Sequence, residues 1–272
     1  MARIVAVLAA LALTALGCSG ADDSSGSSPE ETKEQPLSLV VIGDSIPYNA
    51  PEDCPRCTGF VDRYADALAQ ATGREVEATN LSQHNGLTLP MFMDELESFK
   101  EPLSKADAII VAIAHNSFGL SSEEPCGTTF DEATSTLKDW SKVTARCAAD
   151  SAAEYRPQYD EMFTTVASWR DGQPTIMRTI DKYNDWIGWE DAHLTPDQQH
   201  RTVLMHDAWN AMLCRSAESQ GFACADIYHA FNSPTGAKPS GDLLAADYTH
   251  PSDEGNARIA IVLTAQGFGP LA

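Results

Sequence analysis

Three residues of the chain have the types and the spacing that acyl transfer by a serine requires. Ser45 ends a Gly-Asp-Ser turn that follows an apolar run at residues 39–42, and Asp247 and His250 lie three residues apart near the C-terminal end. A serine hydroxyl is a weak nucleophile at neutral pH, so it needs a base that accepts its proton and a carboxylate that orients this base. The sequence therefore predicts Ser45 as nucleophile, His250 as base and Asp247 as the acid that orients His250.

The same chemistry needs hydrogen-bond donors for the oxyanion of the tetrahedral intermediate. The backbone N–H of Ser45, the backbone N–H of Gly86 and the side-chain amide of Asn116 are the candidates, because each follows a predicted strand. Taken singly, Asn116 is an ordinary loop amide, Gly86 an ordinary turn residue, and Asp247 with His250 a polar network before a helix. We interpret them as one site because they occur together, in this order, at the ends of elements.

Further residues are candidates for contact with a substrate. His115 precedes the candidate asparagine and either lines the pocket or faces solvent, and Trp186 and Trp189 lie in one loop after the predicted fourth strand. For the tryptophans, packing of the loop against the core is the open alternative. His200 and His206 are six residues apart, which places them on different sides of a helix, unlike the i, i+4 pair of a zinc helix. The sequence predicts no metal site and no cofactor.

The elements that must position these residues alternate along the chain between strand and helix. Uninterrupted apolar runs, as at residues 39–42 and 108–114, are typical of strands buried on both faces of a parallel sheet. This order predicts an α/β protein, a three-layer α/β/α sandwich with five parallel strands and right-handed crossovers. The other three strands are predicted at 76–81, 175–180 and 223–230, and two helices at 130–148 and 152–169 between the third and fourth strands.

The N-terminal segment is typical of a targeting sequence. After Arg3, residues 4–16 form a largely apolar run, which is shorter than a membrane-spanning helix requires. The run ends in Ala-Leu-Gly-Cys at residues 15–18, which resembles a bacterial lipobox with Cys18 as the acylated residue. We therefore expect a signal peptide over residues 1–17 and a lipid anchor on Cys18, with ordinary signal-peptidase cleavage and secretion as the alternative.

The segment at residues 18–36 begins with this cysteine and is rich in Ser, Asp, Glu and Gly, with no apolar periodicity. Such a composition cannot bury a core, so we predict a flexible, solvated linker there and a folded domain over residues 37–272. We expect a monomer outside the cytoplasm that contacts the membrane only through its N-terminal lipid.

Six cysteines remain once Cys18 is set aside, and an even number in an exported chain indicates disulfides. The Cys-x-x-Cys spacing of the first two also occurs in redox and zinc sites, but the sequence has no second such motif, so we interpret it as a loop staple. Other connectivities are open, and pairing neighbours along the chain joins Cys54 to Cys57, Cys126 to Cys147, and Cys214 to Cys224.

The net charge of the chain is -21, from 39 acidic and 18 basic residues. Such a surface repels phosphate backbones and anionic lipid headgroups, so nucleic acids are not expected as partners. We expect a neutral substrate instead, a small-molecule or glycan ester, with a site that is locally shielded from this charge as the alternative.

Four segments resemble the motif blocks of the SGNH (GDSL) hydrolase family. Gly-Asp-Ser-Ile at residues 43–46 is similar to the GDSL block, with Ile in place of Leu, and Asp-Tyr-Thr-His-Pro at residues 247–251 matches the Asp-x-x-His-Pro block. Residues 80–86 resemble the second block, whose glycine is an oxyanion donor. Residues 114–117 keep the asparagine of Gly-x-Asn-Asp but lose the glycine and the final acid. The resemblance covers residues 37–272.

The resemblance implies a flavodoxin-like sandwich with Ser45, His250 and Asp247 as catalytic residues, and with Ser45, Gly86 and Asn116 as oxyanion donors. We predict a cell-surface serine esterase that hydrolyses carboxylic esters through an acyl-enzyme. A carbohydrate O-deacetylase with the same catalytic residues is one alternative. A binding lipoprotein on an inactive hydrolase scaffold is the other, and the altered third block is the observation that gives it weight.

Overall fold

The structure is a computed structural model that describes residues 35–117, 125–131, 136–187 and 194–272. These residues belong to one compact unit that begins at Gln35. The predicted signal peptide, Cys18 with its lipid, the linker up to residue 34, and Trp189 lie outside the described residues. None of the helices in the described ranges has the length and apolar character that crossing a membrane requires.

Strands and helices alternate along the described chain. The strands are β1 (Leu37–Gly43), β2 (Val76–Asn80), β3 (Ala108–Ala112), β4 (Phe130–Asp131), β5 (Thr136–Leu137), β6 (Ile176–Ile180) and β7 (Ala223–Ala225). The α-helices are α1 (Ser45–Tyr48), α2 (Phe60–Thr72), α3 (Leu89–Glu95), α4 (Lys100–Leu103), α5 (Ala145–Ser168), α6 (Pro196–Glu218), α7 (Ile227–Asn232) and α8 (Asp253–Ala265). Short 3₁₀ helices cover Leu96–Phe99, Trp140–Lys142, Asp185–Ile187 and Gly241–Leu243.

The central sheet has five strands in the order β2-β1-β3-β6-β7, and every neighbouring pair is parallel. The predicted α/β/α sandwich with a five-stranded, flavodoxin-like parallel sheet is confirmed. In such a sheet the chain leaves β1 in opposite directions toward β2 and β3, which opens a crevice at their carboxyl ends. Gly43 pairs with Ala112 at that edge, so the residues after β1 and after β3 face the same crevice.

The two faces of the sheet are covered by different helices because side chains of a strand alternate between its faces. Val40 and Ile42 of β1 pack on the side of α3, α5 and α6. Leu39 and Val41 pack on the opposite side, against α2, α7 and α8. All four side chains are buried, as the uninterrupted apolar run predicts for a central parallel strand.

The connection between β3 and β6 differs from the prediction of helices at residues 130–148 and 152–169. One helix, α5, covers Ala145–Ser168, and β4 pairs antiparallel with β5 ahead of it. The side chain of Thr144 accepts a hydrogen bond from the N–H of Cys147 at 3.2 Å and so caps α5 at its start. The cap determines where this helix begins, whereas the apolar pattern before it does not specify helix or strand.

The fifth predicted strand, at residues 223–230, is also wrong in its extent. β7 ends at Ala225, and Asp226 caps the short helix α7, accepting a hydrogen bond from the N–H of His229 at 3.0 Å. Helix α7 buries its apolar residues against the core on the side of α2 and α8. An aspartate at this position favours a helix start over a continued strand.

The structure has three disulfides in the described ranges, and they are the predicted ones. They join Cys54 to Cys57, Cys126 to Cys147, and Cys214 to Cys224.

Candidate active site

Ser45 lies at the point where β1 turns sharply into helix α1. Gly43, two residues earlier, packs so closely that a Cβ atom there would collide with the ring of Pro47 and with the carbonyl oxygen of Ala112. Only glycine therefore lets the chain turn while it stays paired with β3. The turn leaves Ser45 half-buried at the carboxyl end of the central strand.

Asp44 connects this turn to the segment after β3. Its carboxylate is completely buried and accepts hydrogen bonds from the N–H of Ile46 at 3.0 Å, of Ala114 at 3.2 Å and of His115 at 3.0 Å. Burial raises the pKa of Asp44, and these three N–H groups and the positive charge of Lys182 oppose the rise. The sequence alone predicts Asp44 only as a turn residue, because the donors on the third motif become its neighbours only in the folded chain.

Ser45, His250 and Asp247 form a continuous chain of contacts. The Nε2 atom of His250 is 2.9 Å from Ser45 Oγ, and its Nδ1 atom is 2.6 Å from Asp247 Oδ2. Because Nδ1 faces a carboxylate oxygen, it carries the ring hydrogen, and Nε2 presents its lone pair to the serine hydroxyl. The structure therefore brings the three predicted residues together in the geometry that general-base activation of a serine requires.

The carboxylate of Asp247 is held in place by its own loop. Its Oδ1 atom accepts hydrogen bonds from the N–H groups of Thr249 and His250, each at 3.0 Å. Partial burial works to raise the pKa of Asp247, but the hydrogen bonds from the His250 ring and from these two N–H groups outweigh it, and the net shift is downward. Asp247 is therefore ionised at neutral pH and stabilises positive charge on His250.

The loop that carries the base is tied to the core by a few polar contacts. The buried hydroxyl of Tyr183 donates to the carbonyl of Thr249 at 2.6 Å, and the N–H of Ala245 donates to the carbonyl of His250 at 2.7 Å. Ser252 then caps α8, accepting a hydrogen bond from the N–H of Gly255 at 3.1 Å. The loop itself is mostly exposed, with the side chain of Asp247 36% exposed and that of His250 16% exposed.

The second and third motifs meet beside this site. The side-chain amide of Asn116 donates to the carbonyl of Leu87 at 3.2 Å, and the hydroxyl of Ser117 accepts the N–H of Leu89 at 2.6 Å. An amide nitrogen carries two hydrogens, so Asn116 keeps a second donor. Gly86 precedes Leu87 with φ of 73°, a conformation that favours glycine. The roles of Gly86 and Asn116 as oxyanion donors stay predictions.

His115 follows β3 at the carboxyl edge of the sheet. Its ring packs on Tyr183 with a centroid distance of 4.4 Å, and its Nε2 atom is buried without a hydrogen-bond partner among the described residues. Burial lowers the pKa of His115 well below its usual value, and the positive charge of Lys182 adds to the shift. The ring is therefore neutral at physiological pH, and its contact with a substrate stays a prediction.

Trp186 belongs to a separate packing cluster. Its ring lies edge-on to Trp140 with a centroid distance of 5.4 Å, beside Leu137, Val143 and Met205. This is the packing alternative that the sequence left open for the loop. A substrate contact by Trp186 stays a prediction, and Trp189 lies outside the described residues.

The site also contains Asp53, whose role the sequence does not reveal, and His84, for which the sequence leaves open lining of the pocket or exposure to solvent. The Nε2 atom of His84 is 2.9 Å from Asp53 Oδ2, and the Nε2 atom of His250 is 3.4 Å from the same oxygen. Together the three residues offer ligand atoms within 4.8 Å of one another, a group that could hold a metal ion. The prediction of no metal considered His193, His200, His206 and Asp207 and rested on the spacing of His200 and His206, because no sequence spacing links Asp53 to His84 and His250.

Comparisons with known proteins are consistent with this geometry. The family model described as the GDSL-like lipase/acylhydrolase family matches residues 41–258. No curated protein matches the chain by sequence.

The solved structures that share the fold of this chain include the following three. The lipase Lip_vut3 from a goat rumen metagenome is 16% identical with a TM-score of 0.59, and the match covers 87% of this chain and 100% of that one. Phospholipase A1 from Streptomyces albidoflavus NA297 is 16% identical with a TM-score of 0.57, covering 86% and 100%. The extracellular lipase from Streptomyces rimosus is 18% identical with a TM-score of 0.56, covering 84% and 99%.

Proposed function

The chain belongs to the GDSL-like lipase/acylhydrolase family and is a carboxylic ester hydrolase, for which we propose catalysis through a covalent acyl-enzyme on Ser45. The observation that carries the proposal is the line of contacts from Ser45 Oγ through the His250 ring to Asp247, with distances of 2.9 Å and 2.6 Å. This arrangement supports activation of Ser45 as a nucleophile.

Acylation begins when Ser45 Oγ attacks the ester carbonyl carbon and His250 Nε2 accepts the hydroxyl proton. Asp247 stabilises the resulting imidazolium, because its carboxylate is ionised and hydrogen-bonded to Nδ1. The tetrahedral intermediate collapses as His250 returns the proton to the departing alkoxide, which leaves as the alcohol. The acyl group is then bonded to Ser45.

Deacylation repeats these steps with water. His250 Nε2 takes a proton from a water molecule, whose oxygen attacks the acyl carbon of the acyl-enzyme. Collapse of the second intermediate releases the carboxylic acid and returns the proton to Ser45 Oγ. In both halves, the N–H of Ser45, the N–H of Gly86 and the amide of Asn116 are the proposed donors to the oxyanion.

The surroundings of the nucleophile favour an ester with a neutral, ring-containing alcohol such as a sugar. Tyr48 and Tyr248 are 46% and 44% exposed, the first in the same short helix as Ser45 and the second between Asp247 and His250. The ring of Tyr48 stacks on His84, and the exposed parts of both tyrosine rings are suited to packing against a ring of the alcohol. A glycan O-deacetylase is therefore the second candidate, and for both we propose a site outside the cytoplasm, on a lipid-anchored domain.

The substitution Ser45→Ala tests the nucleophile. We expect it to abolish hydrolysis of p-nitrophenyl acetate while the circular dichroism spectrum and the three disulfides stay unchanged, because the hydroxyl supports no other part of the fold. A fluorophosphonate should label Ser45 of the wild type, as mass spectrometry of the peptide would show. The matched control Ser98→Ala, at an exposed serine, should keep full activity.

Two outcomes would contradict the proposal. Turnover that persists in Ser45→Ala would exclude this residue as the nucleophile. A folded wild type that neither turns over esters nor is labelled would favour a binding protein on a hydrolase scaffold. Comparison of acetylated oligosaccharides with p-nitrophenyl esters of graded acyl length then separates the deacetylase from an esterase of longer acyl chains.

A further inference from the structure

We propose that Asp53, His84 and His250 bind one divalent ion of the zinc class, and that the bound ion inhibits ester hydrolysis. The inhibition, though not the binding, rests on the proposed role of His250 as catalytic base. The site would make hydrolysis depend on the free concentration of such an ion.

Two of the three distances between the ligand atoms are close to those that a tetrahedral ion needs. Asp53 Oδ2 is 2.9 Å from His84 Nε2 and 3.4 Å from His250 Nε2, and the three residues offer atoms within 4.8 Å of one another. Zinc bonds to imidazole nitrogen and carboxylate oxygen of about 2.0 to 2.2 Å place neighbouring ligand atoms roughly 3.3 Å apart. Small rotations of the side chains would therefore bring three ligands into tetrahedral positions, and a water molecule is suited to the fourth.

The carboxylate oxygen at this point lacks a hydrogen-bond donor. Nδ1 of His250 carries its ring hydrogen toward Asp247, so Nε2 has no hydrogen to offer Asp53 Oδ2, and its one lone pair accepts the Ser45 hydroxyl. Asp53 Oδ2 is buried and has no hydrogen-bond partner among the described residues, since the nearby His84 Nε2 does not meet it with hydrogen-bond geometry. Two facing acceptors repel each other, and a cation between them would turn this repulsion into coordination.

A carboxylate also lies near the other ring nitrogen of each histidine. Asp247 Oδ2 is 2.6 Å from Nδ1 of His250 and orients this ring, as outer carboxylates do for metal-binding imidazoles. Glu52 Oε1 is 3.6 Å from Nδ1 of His84, too far for a hydrogen bond, and adds negative charge. The net charge of -21 adds a long-range field that attracts cations.

The ligands lie on segments that local contacts hold. Asp53 directly precedes the Cys54–Cys57 disulfide, and its N–H donates to the carbonyl of Ala50 at 3.1 Å. The ring of His84 stacks on Tyr48 with a centroid distance of 5.5 Å. A site held in this way needs little rearrangement to bind an ion.

Inhibition follows because His250 Nε2 has only one lone pair. When that lone pair coordinates a metal ion, it cannot accept the proton of Ser45. Metal binding and activation of the serine therefore exclude each other, and the bound ion should also slow labelling of Ser45 by a fluorophosphonate.

Calorimetry with Zn²⁺ on the tag-free full chain tests the binding, for the wild type and for Ser45→Ala. We expect one strong site in both. Asp53→Asn and His84→Gln should each raise the Kd at least about tenfold, because loss of a direct ligand costs no less than loss of an outer-shell partner. His229→Gln is the matched control. His229 is not one of the three ligands, and its exposed Nδ1 atom is 2.9 Å from Asp226 Oδ1.

The second measurement is the zinc dependence of p-nitrophenyl acetate hydrolysis, expressed relative to the zinc-free rate of each protein. Zinc should inhibit the wild type and His229→Gln, a chelator should restore the rate, and His84→Gln should need at least about tenfold more zinc for half-inhibition. Equal Kd values for the wild type, Asp53→Asn and His84→Gln would overturn the site. Zinc-stimulated hydrolysis would overturn the inhibition. Strong zinc binding by a wild type that hydrolyses no ester would support the site and contradict the proposed function.

Discussion

Two aspartates lie in the proposed active site, one next to the nucleophile and one next to the base, and they differ in burial and in hydrogen bonding. Asp44, next to the nucleophile, is fully buried, and its carboxylate accepts three backbone N–H bonds from two segments of the chain. Asp247, next to the base, has a side chain that is 36% exposed, and its bonds stay within its own loop. Burial raises the pKa of Asp44, whereas hydrogen bonds outweigh burial and lower the pKa of Asp247.

The difference indicates that Asp44 mainly holds the fold together, whereas Asp247 mainly acts through its charge. A buried carboxylate that satisfies backbone donors connects strands and tolerates little change, because each donor left without a partner costs free energy. A partly solvated carboxylate that faces an imidazole keeps its charge and acts on the ring. We therefore expect substitutions on the side of Asp44 to change stability and substitutions on the side of Asp247 to change activity.

The largest effect should come from Asp247→Asn. The two backbone N–H groups at Oδ1 hold the amide oxygen there, so the NH₂ group takes the Oδ2 position and donates to Nδ1 of His250. The ring then carries its hydrogen on Nε2 and cannot accept the proton of Ser45. The same change in serine proteases lowers kcat about 10⁴-fold, and we expect a loss of that order in steady-state ester hydrolysis.

Urea unfolding provides the second half of this test. Asp247→Asn should unfold within about 0.5 kcal/mol of the wild type, as a substitution on an exposed loop does. Asp242→Asn, at an exposed aspartate just before this loop, is the control and should keep its activity. Activity of Asp247→Asn within a factor of about ten of the wild type would exclude the orienting role.

The next effect should come from Asp44→Asn, measured as the free energy of unfolding in urea. Three N–H donors face the two carboxylate oxygens, so the NH₂ group of asparagine must meet at least one of them. One buried donor without an acceptor costs about 2 kcal/mol. Asp66→Asn, at an exposed position of α2, should be neutral. An unchanged midpoint of urea unfolding for Asp44→Asn would contradict the stabilising role of the Asp44 carboxylate.

A smaller effect is expected for Tyr183→Phe, because the Tyr183 hydroxyl connects the base loop to the core through the carbonyl of Thr249. Its loss should cost about 1 kcal/mol of unfolding free energy and lower kcat, since His250 is less well held. The control is Tyr159→Phe, on the opposite face of the sheet. The hydroxyl of Tyr159 donates a similar hydrogen bond, 2.8 Å long, to the carbonyl of Ile113. Similar stability with equal kcat values for the two variants would argue against anchoring by Tyr183.

The smallest effect concerns the pH dependence of the unfolding free energy, to which Asp247 and Asp44 should contribute with opposite signs. Asp247 has its pKa below the ordinary value of 3.8, so it contributes stability that is lost as pH falls through the folded-state pKa. Asp44 has its pKa above that value, so its contribution is lost as pH rises through the raised pKa. Relative to the wild type, Asp247→Asn should lose less stability as the solution is acidified, and Asp44→Asn less as pH rises. Urea unfolding at stepped pH values checks both, and shifts in the same direction would contradict the comparison.

Parts of the fold could be predicted from single segments. The apolar runs of β1 and β3 allow burial on both faces, and Thr195 followed by Pro196 marks the start of α6, where the Thr195 side chain accepts the N–H of Gln198. Residues 130–148 and 223–230 could not be assigned in this way. Their short apolar stretches fit a helix or a strand, and the caps at Thr144 and Asp226 decided between the two.

The sequence by itself determined the family, the alternation of strands and helices, and the residue types of the proposed triad, because these depend on local pattern and motif. Only the tertiary structure decided how those residues meet: His250 reaches Ser45 across 205 positions of the chain. It also decided that Asp44 connects two strand ends and that Asp53 and His84 converge on His250. These relations depend on distances between segments that are remote in sequence. The packing of the helices on the sheet sets those distances, and the spacing of residues along the chain does not reveal them.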